Sequence, residues 1–184
     1  DILARLLAQK LGEAWKQTVV VDNKSGGGGV IAAAEVARAE KDGYTLLLGS
    51  VGPVEVLPSV MKKVSYDSEK DFAGVDVLVN VENVVVVNNQ LPVKNIQELI
   101  AYAKANPGKL SYASQGGGTS AHLAGELFNS MAGTKLTHVP YKGESAAIND
   151  LVAGQIDFMV GNLTAATGFA KAGQIKPLAV TSLK

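Results

Sequence analysis

Residues 110–128 read LSYASQGGGTSAHLAGELF and contain, in order, a strand pattern, a run of glycines and a helical pattern. Leu110 to Ser114 is a short run bounded by turn residues, which predicts a buried strand. Gln115 to Ser120 carries three consecutive glycines and ends in two hydroxyl residues. We expect the next helix to bury a stripe made of Leu123, Leu127, Phe128 and Met131. A strand, a glycine loop and a helix in this order predict an α/β fold.

The same alternation continues on both sides of this stretch. Asn95 and Glu98 form a capping pair that opens one predicted helix, and Asn106-Pro107-Gly108 ends it. Another helix is predicted over Ser145 to Ala153, and one more ends near Lys171. The other predicted strands are Asn83 to Val87, Lys135 to Val139, Gln155 to Val160 and Ile175 to Leu183. Because strands and helices alternate, we expect a mostly parallel sheet.

The first half of the chain has a weaker version of this pattern. An apolar stripe with helical spacing begins at Ile2 and reaches Trp15, with Asp1 at the N-cap position. A second glycine loop, Ser25 to Gly29, precedes a helix predicted over Val30 to Ala39. Strands are predicted at Thr18 to Asp22, Tyr44 to Leu48 and Phe72 to Val79. We place a boundary near residue 84, which divides the chain into units of residues 1–84 and 85–184.

Composition excludes several classes of protein. The chain has 184 residues, of which 47% are hydrophobic, and this is enough to build a buried core. Its 17 basic residues balance its 17 acidic residues, which argues against a nucleic-acid partner. It has no cysteine, so disulfides, cysteine zinc sites and cysteine nucleophiles are absent. No apolar run approaches the roughly 20 residues that a membrane span needs.

The loop of Gly116, Gly117, Gly118, Thr119 and Ser120 is the best candidate site. It lies between a strand and a helix, and the first N–H groups of a helix have no partner within it. These groups carry the positive end of the helix dipole, and glycines let a ligand approach them. The combination suits a carboxylate or a phosphate. The alternative is a glycine-rich turn with a helix cap and no ligand.

The cofactor and enzyme patterns are incomplete. Both glycine loops match G-x-G-x-x-A, the pattern of dinucleotide-binding loops. In those proteins an acidic residue at the end of the next strand binds the ribose. Here the next strands end in Leu47-Leu48-Gly49-Ser50 and His138-Val139-Pro140-Tyr141, without an acidic residue. Residues 143–147, GESAA, lack the last glycine of a hydrolase nucleophile elbow. His122 and His138 do not have metal-ligand spacing. We therefore predict no cofactor, no metal and no catalytic residue, with a Rossmann-type enzyme as an alternative.

Other candidates lie where predicted strands end. Ser50 and Gly52 follow a strand of the first half, and their hydroxyl and backbone groups could face the same cleft. Lys142, after Tyr141, could balance an anionic ligand or be a solvated loop charge. Asn162 could donate to a carboxylate or cap the next helix. His122, in the first turn after the glycine loop, could orient that loop by hydrogen bonding or simply pack against it.

Several segments form a combination that is more specific than any of them alone. They are Val21-Asp22-Asn23 with Gly26 to Gly29, Asp42 to Leu47, Ala105 to Leu110, Tyr112 to Ser120, His122 to Leu127, His138 to Gly143 and Leu178 to Ser182. In combination they resemble the Bug family of periplasmic solute-binding proteins, the TctC-like receptors of tripartite tricarboxylate transporters. The resemblance covers essentially the whole chain.

The resemblance implies a two-lobed, Venus-flytrap receptor of the periplasmic-binding-protein type II kind. Such a receptor is exported to the periplasm, closes on a small carboxylate and delivers it to membrane permease subunits. We expect a monomer without catalytic activity. Members of the family are longer, so residues 1–84 are expected to be an incomplete first lobe that lacks the N-terminal strand and loop and its C-terminal part. Residues 85–184 would be most of the second lobe. The effector-sensing domain of a transcription regulator is a further alternative.

The resemblance also implies roles for individual residues. The loop from Gly116 to Ser120 matches the one that holds a carboxylate in the second lobe. Ser50 and Gly52 match the contribution of the first lobe, and Asn162 matches the second residue of a common Asp-Asn pair. Gly161 stands where the family usually has Asp, which favours a carboxylate without an amino group. Asp1 resembles the last residue of the first ligand loop.

Overall fold

The computed structural model describes residues 1–182 of the chain. Its first half contains helix α1 (Ile2–Trp15) and helix α2 (Val30–Arg38), which follows a 3-10 turn at Gly27–Gly29. A π-helical turn at Gly52–Val56 continues into the short helix α3 (Leu57–Val60). Asp1 lies at the N-cap of α1 but does not cap it through its side chain. Its carboxylate instead binds Arg5 and Asn23, at 2.9 and 2.7 Å.

The second half forms a five-stranded sheet with the order β3-β2-β4-β1-β5. The strands are β1 (Asn83–Asn88), β2 (Ser111–Ser114), β3 (Thr137–Pro140), β4 (Phe158–Asn162) and β5 (Ile175–Val180). Strand β2 runs parallel to β3 and β4, whereas β1 runs antiparallel to β4 and β5. The expectation of a mostly parallel sheet is therefore wrong for β1, which enters the sheet between β4 and β5 in the opposite direction.

Four helices, α4 (Ile96–Ala105), α5 (Ser120–Ala132), α6 (Glu144–Val152) and α7 (Leu163–Lys171), cover the two faces of this sheet. Helices α4 and α5 pack on the face that carries Tyr112 and Phe158. Helices α6 and α7 pack on the opposite face, around Met159. The predicted capping pair is confirmed, since Asn95 Oδ1 accepts the Glu98 N–H at 2.9 Å. Alternation of strand and helix thus produces two buried layers, as the α/β prediction requires.

The three strands predicted in the first half are wrong for the described residues. Residues 18–22, 44–48 and 72–79 belong to no strand, and the side chains of Tyr44 and Val75 are 91% and 88% exposed. A β-branched sequence favours extended backbone, but a strand also needs a hydrogen-bonded neighbour. At the other end, the strand predicted to reach Leu183 ends at Val180, and Leu183 lies outside the described residues.

Helix α5 presents only part of the predicted stripe to the core, since Phe128 packs against it from a partly buried position, as predicted. Leu123, Leu127 and Met131 are exposed, and the buried residues of the helix are Ala121 and Gly125. A Cβ atom on Gly125 would lie 2.2 Å from the Tyr112 ring, so the helix backbone packs directly on that ring. The smallest side chains therefore determine which face of α5 is buried, because they allow this close approach.

The longest helix in residues 1–182, α1, has 14 residues, and none of the described helices meets the length and hydropathy of a membrane span.

Candidate functional site

The carboxyl ends of β2, β3 and β4 lie side by side at one edge of the sheet. The segments that follow them are the glycine loop, Tyr141-Lys142 and the start of α7. Ligands of α/β proteins usually bind at this edge. A cleft of about 290 Å³ lies there, between the sheet edge and the first half of the chain. It is lined by Lys24, Ser25, Gly26, Gly28, Gly29, Ser50, Val51, Gly52, Gln115, Thr119, Ser120, Lys142 and Asn162.

The glycine loop uses many of its own polar groups to hold its shape. The N–H groups of Gly116 and Gly118 donate to Ser114 Oγ and His122 Nδ1, both at 3.1 Å. Thr119 donates its hydroxyl to the carbonyl of Gly116 at 2.8 Å, and its oxygen accepts the His122 N–H at 3.4 Å. The Thr119 hydroxyl is therefore engaged within the loop. At the start of α5, the N–H and hydroxyl of Ser120 remain for a ligand.

Two stacked histidines, His122 and His138, contact the glycine loop and the residue before it, Ser114. The rings of His122 and His138 are 4.1 Å apart, and His138 Nε2 lies 2.7 Å from Ser114 Oγ. Burial lowers the pKa of His138, and the charge of His122 lowers it further. His122 Nδ1 accepts a hydrogen bond from Gly118, so this nitrogen carries no proton. The pair thus anchors the loop from Ser114 to Gly118, and the hydrogen bond to His122 is the loop-orienting role that the sequence left open beside simple packing.

The first half of the chain approaches this loop through its own glycines. A Cβ atom on Gly28, whose φ is +64°, would lie 2.7 Å from the carbonyl oxygen of Gly117. A Cβ atom on Gly52 would lie 3.4 Å from the carbonyl oxygen of Gly118. Leu57 contacts the loop as well, because a Cβ atom on Gly118 would overlap its side chain. Only residues without side chains permit this approach at Gly28 and Gly118.

Two lysines, Lys24 and Lys142, line the cleft. Lys24 forms ion pairs with Asp22 and Glu35 at 2.9 and 3.3 Å, and these two carboxylates raise the pKa of Lys24. Lys142 has no ion pair within the described residues. Lys142 is therefore the cleft lysine whose charge is available to an anionic ligand.

The remaining predicted residues lie near the cleft but do not line it. Gly116, Gly117 and Gly118 shape the loop, and His122 binds it from behind. Tyr141 points toward α6, where its hydroxyl donates to Asp150 at 2.6 Å; burial and this carboxylate raise the pKa of Tyr141 to about 12. Asp1 is exposed on α1 and is engaged by Arg5 and Asn23.

Sequence reasoning missed Glu144, and it gave Gln115 only as the first residue of the candidate loop. Gln115 lines the cleft, and Glu144 accepts hydrogen bonds from the backbone N–H and the side chain of Asn162. The only sequence signal for Glu144 was the missing side chain at Gly161, because Glu144 opens the helix that follows β3, and β2 separates β3 from β4 in the sheet. The two lie 17 positions apart in the chain, and only the fold shows that they meet.

Residues that could hold a metal do not cluster within residues 1–182, where no group of three His, Asp or Glu side chains is arranged as a metal site. The cleft instead offers a helix start, a hydroxyl and a lysine, which suit an anion.

The sequence model of the family described as "Tripartite tricarboxylate transporter family receptor", TctC, matches residues 3–184. The chain belongs to this family. The TctC-family chain is 42% identical over 183 residues to the UPF0065 protein in the tcbD-tcbE intergenic region of a Pseudomonas species. That match covers 100% of this chain and 54% of the relative, so the chain spans about half the relative's length.

Several solved structures have the same fold. The R. palustris protein Rpa4515, solved with adipate, has 41% identity and a TM-score of 0.97, over 100% of this chain and 62% of that chain. The periplasmic binding protein BugD has 39% identity and a TM-score of 0.93, over 98% of this chain and 60% of the BugD chain. MatC from Rhodopseudomonas palustris, with bound malate, has 28% identity and a TM-score of 0.93, over 100% of this chain and 63% of the MatC chain. The resemblance to the Bug family and the expected fold class are confirmed.

Proposed function

We propose that the protein is an extracytoplasmic solute-binding protein that captures a small carboxylate and delivers it to a tripartite tricarboxylate-type transporter. In this proposal, residues 1–84 and 85–184 belong to two lobes, and the ligand lies in the cleft between them. The protein works as a monomer in the periplasm, contacts the permease subunits and performs no catalysis. Membership of the receptor family supports this role.

The observation that carries the proposal is the meeting of Ser120 and Lys142 in one cleft. Ser120 is the first residue of α5, so its N–H has no partner in the helix and lies at the positive end of the helix dipole. Lys142 adds a positive charge without a carboxylate partner among the described residues. A ligand carboxylate would receive charge-assisted hydrogen bonds from this set, and these are the strong ones.

The ligand class follows from the same chemistry and from the neighbours. Rpa4515 was solved with adipate and MatC with malate, which are both small carboxylates. The cleft volume of about 290 Å³ is at the lower end of the range for ligand pockets and fits a molecule of that size.

A thermal-shift screen of the full gene product tests this function. The panel contains adipate, malate, hydroxylated monocarboxylates and NADH. A carboxylate present at about 100 times its Kd is expected to add about 2.7 kcal/mol to the free energy of unfolding. Stabilisation by a carboxylate without turnover supports the proposal. Stabilisation by NADH alone, or by no carboxylate, contradicts it.

A matched pair of serine variants then tests the position of the site. Ser120→Ala removes the hydroxyl at the start of α5 and is expected to weaken carboxylate binding by roughly tenfold or more, since hydrogen bonds to charged groups contribute about 1.5–3 kcal/mol. Ser130→Ala makes the same change on an exposed position of the same helix and should leave the affinity unchanged. Equal affinities in the two variants, measured by calorimetry, would place the carboxylate elsewhere.

A further inference from the structure

Glu144, the first residue of α6, places its carboxylate beside Gly161 in β4. A Cβ atom on Gly161 would lie 2.7 Å from Glu144 Oε1, so a side chain at position 161 would displace this carboxylate. Gly161 is buried, whereas Glu144 is only partly exposed. The carboxylate of Glu144 therefore occupies the space that a side chain at position 161 would fill.

Glu144 also fixes the orientation of the neighbouring amides. The backbone N–H of Asn162 donates to Oε1 of Glu144, and Asn162 Nδ2 donates to Oε2 at 2.5 Å. An ionised carboxylate only accepts hydrogen bonds, so the nitrogen of the Asn162 amide must face it. The oxygen of that amide is left on the other side. The Gln115 side chain lowers the pKa of the same carboxylate, and Asn162 and Gln115 both line the cleft.

The cleft is therefore chemically asymmetric. Ser120 and Lys142 present donors and a positive charge, whereas Asn162, whose amide nitrogen is held by Glu144, keeps its amide oxygen for a ligand. The charge of Glu144 lies directly behind that amide. Burial raises the pKa of Glu144, and the hydrogen bonds from Asn162 and Gln115 act in the opposite direction. A second ionised carboxylate of a ligand would meet acceptors and a like charge at this position.

We infer that Glu144 is a positioning residue that sets ligand selectivity: it holds the amide of Asn162 as an acceptor, so that the site prefers a carboxylate whose other end carries a hydroxyl over one with a second ionised carboxylate. This inference rests on the proposed function, because it concerns the ligand in that cleft. According to this inference, Glu144, together with the missing side chain at Gly161, determines the selectivity for hydroxy acids over dicarboxylate dianions.

Glu144→Gln reverses the arrangement. Glutamine keeps an acceptor for the backbone N–H of Asn162 but adds a donor, which can bind Asn162 Oδ1. The Asn162 amide then turns its nitrogen toward the ligand, and the negative charge behind it is lost. Both changes favour a second ligand carboxylate.

The experiment compares 6-hydroxyhexanoate with adipate, which differ only in the terminal group. Calorimetry with the full gene product at about pH 8 keeps both carboxylates of adipate ionised. We expect wild type to bind the hydroxy acid about tenfold more tightly than adipate, and Glu144→Gln to lower that ratio by about tenfold. Glu69→Gln, the same change at an exposed position, should leave the ratio as in wild type. Glu144→Ala, which removes the charge without adding a donor, is the second variant if Glu144→Gln does not fold.

The outcomes separate the two proposals. If both compounds bind and neither Glu144 variant changes the ratio of their affinities, the selectivity role is overturned and the proposed function is left intact. A wild type that prefers adipate also overturns the selectivity role. A wild type that binds neither compound, nor any carboxylate of the thermal-shift panel, contradicts the proposed function and this inference together. A purely structural role for Glu144 would lower the two affinities equally and leave their ratio unchanged.

Discussion

Gly28 lies so close to Gly117 that a Cβ atom on Gly28 would be 2.7 Å from the Gly117 carbonyl oxygen. Gly28 belongs to the first glycine loop and Gly117 to the second, so this contact joins the two halves of the chain beside the cleft. Backbone atoms cannot move aside as a flexible side chain can. The absence of a side chain at position 28 therefore sets how closely the halves approach.

Gly28→Ala is expected to weaken carboxylate binding by about tenfold or more, because a closed cleft positions the groups of both halves around the ligand. Alanine would also be strained by the positive φ of this residue, and Gly43→Ala controls for that strain. Gly43 has a φ of +84°, and a Cβ atom on it would meet no other atom within 4 Å. Calorimetry should show lost affinity for Gly28→Ala alone, and equal affinities in both variants would contradict the role of this contact.

A second pair of glycines tests the packing of the helices on the sheet. Gly125→Ala in α5 would push a methyl group to 2.2 Å from the buried Tyr112 ring, and overpacking of this kind costs about 1–3 kcal/mol. Gly168→Ala in α7 meets nothing within 4 Å and should stabilise the protein, since alanine favours a helix by about 1 kcal/mol over glycine. Thermal melts should therefore shift in opposite directions. A shared direction would mean that α5 does not pack on Tyr112 in this way.

The fold of the second half could be predicted because its strands and helices follow one another locally. The predicted strand at Asn83 to Val87 and the helix opened by Asn95 both occur within two residues of their predicted positions. Residues 44–48 have a similarly apolar sequence but no ladder partner among the described residues. Strand formation depends on such distant partners, and no local pattern contains them.

In the candidate site, too, local features could be predicted from the sequence, whereas contacts between distant residues could not. The glycine loop and Ser120 could be predicted, because a helix start after glycines has free N–H groups wherever it occurs. The arrangement of Glu144 beside Gly161 and Asn162 could not, since it depends on how α6 packs against β4. Likewise, the predicted buried face of α5 was only partly right, because Gly125 allows a closer approach than the larger Leu127.

Lys142→Gln should weaken binding of a carboxylate, because it removes the cleft lysine that has no ion pair among the described residues. The side chain is exposed, so the loss should be modest, about 0.2–1 kcal/mol or up to fivefold in Kd. The affinity of the variant should also depend less on salt. Lys171→Gln, an equal charge change at the exposed end of α7, is the control. Calorimetry at two salt concentrations would contradict the prediction if both variants bind like wild type.

The stability of the loop should depend on pH through His138. Burial, together with the charge of His122, holds the pKa of His138 below its ordinary value, whereas Glu126 acts in the opposite direction. The His138 ring also contacts Ser114 and stacks on the ring of Tyr112. The Tyr112 hydroxyl donates to Glu126 at 2.6 Å. In the unfolded chain His138 takes up a proton near its ordinary pKa of about 6.5, before the folded protein does. The free energy of unfolding should therefore fall as the pH drops through that value toward the lower pKa of the folded state.

His138→Gln removes this titration, and its amide can still hydrogen-bond Ser114 Oγ. Melting temperatures of wild type and the variant are compared between about pH 7.5 and pH 5.5, a range above the ordinary pKa values of Asp and Glu. The difference between the two proteins should shift in favour of the variant as the pH falls, because only wild type loses stability through His138. Parallel curves for wild type and His138→Gln would show that His138 does not titrate differently in the folded and unfolded chains.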